Sequence, residues 1–73
     1  MDNNPLFQIE MMVGSLVKLQ TLDGIYMKGK LTGFETYSFK ANGVDQFVLR
    51  AVVLDNDPEK KIETTRLETI EEL

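Results

Sequence analysis

The chain has no cysteine, no histidine and no tryptophan, and only two prolines among its 73 residues. Without thiols there is neither a disulfide framework nor a thiol nucleophile. Without imidazole there is no histidine general base, no Ser-His-Asp or Cys-His arrangement and no ordinary zinc site. Carboxylates, lysines and hydroxyls remain for catalysis, and the twelve acids show no spacing that would hold two of them in one pocket with separated pKa values. The expectation is a protein that is not an enzyme and that calls for no cofactor, metal or small-molecule substrate. Apolar runs long enough to span a bilayer are also missing, as is a basic-then-apolar leader. The expected setting is therefore cytoplasmic, with no membrane partner.

At this length there is room for one domain, residues 1–73, and folding buries only about 60% of the unfolded surface. Small domains compensate with disulfides, metals or association. Composition removes the first and most of the second, so association between copies is expected. Charge is uneven: residues 1–50 hold five bases and five acids, whereas residues 51–73 hold three bases and seven acids, which places the whole net charge of −4 there. That balance argues against a nonspecific nucleic-acid binder, which is normally basic. It leaves room for a local phosphate-facing surface.

The first segment carries helix punctuation. Asn4 can cap, Pro5 suits the first helical position, Gly14 can close, and Leu6, Ile9 and Val13 recur at helical spacing. A helix over about 5–13 is too short to persist alone in water and must dock on an apolar surface. After Gly14 the period becomes alternating. Val17 and Leu19 oppose Lys18 and Gln20, and Leu22-Asp23-Gly24 then makes a turn.

In the next strand Ile25, Met27, Gly29, Leu31 and Gly33 fall on one face. Tyr26, Lys28, Lys30, Thr32 and Phe34 fall on the other. Two glycines four residues apart suggest a strand curved enough to serve both halves of a small barrel. Asn42-Gly43 is a strong hairpin signal, and pairing outward from it sets Lys40 opposite Asp45 and Glu35 opposite Arg50. The third strand, from about Gln46 to Leu54, is so apolar that both of its faces are expected to be covered. Residues 55–60 form a solvated turn by composition. Beyond them Ile62, Leu67 and Ile70 fit either two short strands or a helix.

This order of residues resembles the Sm-like (Lsm) family over nearly the whole chain. Pro5-Leu6 with Ile9 resembles its opening helix. Val17, Leu19, Asp23-Gly24, Gly29, Leu31, Phe34 and Glu35 resemble its first motif, and Ile62, Leu67 and Ile70 keep the apolar spacing of its second. The resemblance implies an all-β fold: a small five-stranded, strongly bent Sm-like (SH3-like) barrel over about 15–70, preceded by a short N-terminal α-helix. It also implies homo-oligomeric rings that bind single-stranded RNA at the ring surface or pore.

Tyr37 resembles the family's base-stacking position, while Phe39 stands where the family has an asparagine and Glu63-Thr64 where it has arginine-glycine. Lys28, Lys30, Lys40 and Asn42 are the candidates for phosphate or polar contacts beside Tyr37, and Ile62, Leu67 and Ile70 are those for the seam between subunits. Aromatics two residues apart on a strand also serve as core or interface, and exposed strand lysines also maintain solubility. The alternative is thus an oligomeric structural or protein-interaction module without RNA.

Overall fold

A computed structural model describes residues 5–73 of the chain, and the expected Asn4 cap lies outside the described residues. Helix α1 runs from Pro5 to Met12, with proline at the first position, where a missing amide costs no hydrogen bond. Ile9 is its anchor in the core, with Leu6 and Met12 packed beside it. Val13 falls just past the helix and is exposed, so the apolar stripe ends one residue sooner than the spacing suggests. Gly14, at φ +94°, turns the chain into the sheet, and its amide donates to the Leu31 carbonyl at 2.7 Å.

Five antiparallel strands follow: β1 (Leu16–Thr21), β2 (Tyr26–Ala41), β3 (Val44–Leu54), β4 (Lys61–Glu63) and β5 (Leu67–Glu72), with a short 3₁₀ turn at Pro58–Lys60. Their order across one open sheet is β4-β3-β2-β1-β5, which makes the fold all-β with one short helix. The tail forms two strands because its threonines and isoleucines favour extended backbone. Its apolar positions then have a core to face. Val17, Leu19, Leu31, Leu49, Val52, Leu54 and Ile62 join Ile9 there, with Met27, Phe34, Leu67 and Ile70 partly buried around them. Each fully buried aliphatic side chain contributes roughly 1.5–3 kcal/mol.

Two irregularities decide which way β2 and β3 point their side chains. The register shifts between Leu31 and Gly33, and again between Glu35 and Thr36. Past the first shift Phe34 packs on the core, although Lys28 and Lys30, of the same parity, are exposed. Strict alternation would have placed Phe34 with the lysines; one extra residue in the ladder reverses the faces.

The second shift corrects the expected Glu35–Arg50 pair. Glu35 lies opposite Ala51, Arg50 is the unmatched residue of β3, and the ion-pair partner of Glu35 is Lys61 at 3.3 Å. The Lys40–Asp45 register and the Asn42-Gly43 turn, with φ of 53° and 78°, agree with expectation. β3 begins earlier than expected, at Val44, and its first half is not covered on both faces, because Val44 and Phe47 are exposed.

Candidate nucleic-acid interface

Antiparallel pairing of β1 with β2 aligns Lys18 with Lys28, Leu16 with Lys30, and Gln20 with Tyr26. Directly opposed residues share a face. Since Val17 and Leu19 are in the core, this face points away from it. It presents three ammonium groups beside a tyrosine that is 67% exposed. Lys18 is held by Glu71 of β5, to which it is also paired in register, at 3.2 Å. Among the described residues the side chains of Lys28 and Lys30 form no ion pair.

The backbone under Lys30 is fixed from below. Its amide donates to Asp55 Oδ1 at 2.9 Å, and Asp55 Oδ2 accepts from Lys60 Nζ at 2.9 Å. Those contacts, Lys60 foremost, hold the Asp55 carboxyl below its ordinary range and raise Lys60 above its own. Thr32 completes the clasp: its hydroxyl donates to the Val53 carbonyl at 3.3 Å and accepts from the Asn56 amide at 2.6 Å.

The other candidates lie further out. From Lys30 to Tyr37 is seven residues of strand, about 23 Å at 3.3 Å per residue. Past the reversal in β2 the odd positions face away from the core, so Tyr37 and Phe39 lie on the outward side, as Lys28 and Lys30 do. Their rings stand 6.4 Å apart between centroids and are tilted by 35°, within the range of favourable aromatic pairs. Lys40 shares the opposite face with Asp45, and Asn42 sits in the turn. The structure therefore brings Lys28 and Lys30 together, adds Lys18 and Tyr26 to them, and sets Tyr37, Lys40 and Asn42 apart on the distal half of the β2–β3 hairpin. Tyr26 was already on the lysine face by alternation. Only the pairing of Lys28 with Lys18 shows that the basic row extends onto β1.

Of the residues expected at a subunit seam, Ile62 is buried in the core of its own chain, whereas Leu67 and Ile70 are half-buried. The latter two line a groove of about 480 Å³ between α1, the base of β3 and β5, together with Ile9 and Leu49. Among the described residues the outer edges of β4 and β5 have no strand partner. Thr64 donates its amide to the Arg50 carbonyl, and Leu73 donates to the Leu16 carbonyl. By alternation along each ladder, the amides of Lys61 and Glu63 and those of Ile70 and Glu72 point away from the sheet.

No group of His, Cys, Asp and Glu side chains among the described residues could hold a metal ion. No described helix is long and apolar enough to cross a membrane. No protein-family model matches the chain, and neither the curated proteins nor the solved structures hold a match to it.

Proposed function

We propose that the chain is an Sm-like subunit: its sheet curls into a small barrel, copies join through the free edges of β4 and β5 into a homo-oligomeric ring, and the ring binds single-stranded RNA on its surface. The row formed by Tyr26, Lys28, Lys30 and Lys18 carries the nucleic-acid part of this reading. Ammonium groups neutralise phosphates and an exposed phenol ring offers a face for a base, a combination that tolerates many sequences. The edge strands support the assembly part, since outward-pointing amides on β4 and β5 are satisfied when one copy's edge pairs with another's.

Fluorescence anisotropy of labelled oligo-U and oligo-A over a salt series tests the RNA reading. Binding should be detectable at low salt and weaken as salt rises. No binding at low salt overturns it and favours a structural or protein-interaction ring. The three acids of β5, Glu68, Glu71 and Glu72, speak for that second reading because they repel phosphate.

A further inference from the structure

We infer that the distal β2–β3 hairpin is an arm by which one copy of this chain seats on the next, its outward aromatic face packing into the groove between α1 and β5 of a second copy. The inference rests on the oligomeric part of the proposed function and is independent of RNA. β1 pairs with β2 only as far as Lys30, and β4 with β3 only over Ala51–Val53. From Thr36 to Val48 the two strands therefore have no strand partner but each other among the described residues, over roughly 20 Å. An isolated two-stranded ribbon is marginal in water, and one with two open edges and apolar faces invites pairing.

The arm offers such faces. Tyr37, Phe39, Val44 and Phe47 are 49%, 47%, 58% and 57% exposed, and three of the chain's six aromatic residues are among them. Pairing of Tyr37 with Val48, Phe39 with Gln46 and Ala41 with Val44 puts Tyr37, Phe39, Val44 and Val48 on one side.

The occupant follows from where the groove lies. Leu49 is at once a wall of the groove and the base of the arm, opposite Thr36. Tyr37 and Phe39 lie on the other side of the ribbon from Leu49, so a chain cannot fill its own groove with its own aromatic face. A second copy can. The docking face itself carries no charge, with Lys40 and Asp45 on the opposite face of the ribbon. The segments as wholes are complementary: residues 36–50 carry two bases and one acid, whereas β5 carries three acids and no base, with Glu68 on the groove rim.

The contact is heterologous, arm of one copy to groove of the next, and such contacts close into rings or extend into filaments. Half-exposed aromatics still offer roughly 100 Å² each. On the docking face these are Tyr37 and Phe39, so together with Val44 and Val48 it supplies roughly 300 Å², under half of the roughly 800 Å² that one partner contributes to a standard interface. It reinforces the strand-edge seam and does not replace it.

The absence of cysteine makes the test direct. In the full chain, Gln46→Cys places a thiol beside Phe39 on the arm, Glu68→Cys places one on the groove rim, and Glu59→Cys is an exposed reference. On mild oxidation of mixtures, the Gln46→Cys and Glu68→Cys chains should couple to each other at least five-fold faster than either couples to itself or to the reference. Adding Phe39→Asp to the Gln46→Cys chain should remove that preference while circular dichroism stays that of the folded parent. Coupling of Gln46→Cys mainly to itself, which would mean arm against arm, overturns the proposal. So does an oligomer by light scattering with no preferred mixed pair, which would leave the edge-paired ring standing. A chain that runs as a monomer and does not couple defeats the oligomeric reading and the arm contact together.

Discussion

The carboxylate of Asp55 rests on the Cα of Gly29, with Oδ2 2.9 Å from where a β-carbon would stand. That carboxylate is not free to swing aside, because it accepts from the Lys30 amide and from Lys60 Nζ. Gly29→Ala should therefore displace it and weaken the clasp between β2 and the turn after β3. With an overpacking cost of about 1 kcal/mol, the thermal midpoint falls by roughly 4–8 °C. In an Asp55→Ala background the same alanine should cost little. Equal losses in both backgrounds, by calorimetry, would refute the contact as the cause.

The same carboxylate gives stability an acid limb. Asp55 is held below its ordinary value of 3.8 first by the hydrogen bond from Lys60 and then by the Lys30 amide. Asp23 is held below 3.8 first by the Thr21 hydroxyl and then by its own amide. A depressed carboxyl stabilises the fold fully above its unfolded pKa, and that contribution is lost as pH falls through the folded value. Lys60, raised above 10.5 by Asp55, acts in the opposite sense: its contribution is complete below 10.5 and is lost as pH rises through the folded value. Thermal midpoints should be level between these limits and drop below about pH 4. The acid drop should be smaller in Asp55→Asn, and an unchanged acid limb in that variant would contradict the assignment.

Glu35 and Lys61 stand 3.3 Å apart, both partly exposed. A double-mutant cycle on Glu35→Gln and Lys61→Met should return a coupling of about 0.2–1 kcal/mol, smaller at high salt. The cycle of Glu35→Gln with Arg50→Met should return none. Coupling to Arg50 instead would mean that β2 and β3 pair without the register shift at Thr36.

These pairs show which parts of the fold a single sequence carries. The Asn42-Gly43 turn and the Lys40–Asp45 register are local: the turn residues take positive φ, and the strands are counted outward from them. The alternation of Val17 and Leu19 with Lys18 and Gln20 in β1 is equally local, as is that of Met27 and Gly29 with Tyr26, Lys28 and Lys30 in β2, which makes the two lysines readable as one face. The two register shifts have no such signature. They arise where β2 leaves β1 for β3, and each extra residue reverses every face beyond it. The side chosen by Phe34 and Tyr37 and the partner of Glu35 all depend on them. Phe47 was hidden for a different reason: a run of Phe47, Val48 and Leu49 looks the same whether a strand is buried on both faces or projects from the domain.

Thr21 is the buried polar side chain of the described residues, 1% exposed. Its hydroxyl donates to Asp23 and accepts from the Ile25 amide at 3.1 Å. Thr21→Val keeps the shape and removes both bonds, so the turn between β1 and β2 should loosen at a cost of about 1–2 kcal/mol in urea unfolding. Hydrogen exchange at Ile25 should quicken with it. A variant as stable as the parent, with Ile25 still protected, would show that the backbone bond from Thr21 to the Ile25 carbonyl holds the turn alone.

Lys28 and Lys30 form no ion pair among the described residues, whereas Lys18 is engaged by Glu71, and that difference ranks them as phosphate ligands. If RNA lies along this row, Lys28→Gln and Lys30→Gln should each lower the slope of log affinity against log salt by about 0.7, the increment for one phosphate of a single strand. Lys18→Gln should lower it less, because its charge is already partly neutralised. Glu71→Gln should free Lys18 and tighten binding. Tyr26→Leu should weaken binding by stacking alone, roughly 1–3 kcal/mol, with the salt slope unchanged. An equal slope loss at Lys18 and Lys28 would overturn that ranking, and an unchanged slope in both Lys28→Gln and Lys30→Gln would place the strand on some other part of the surface.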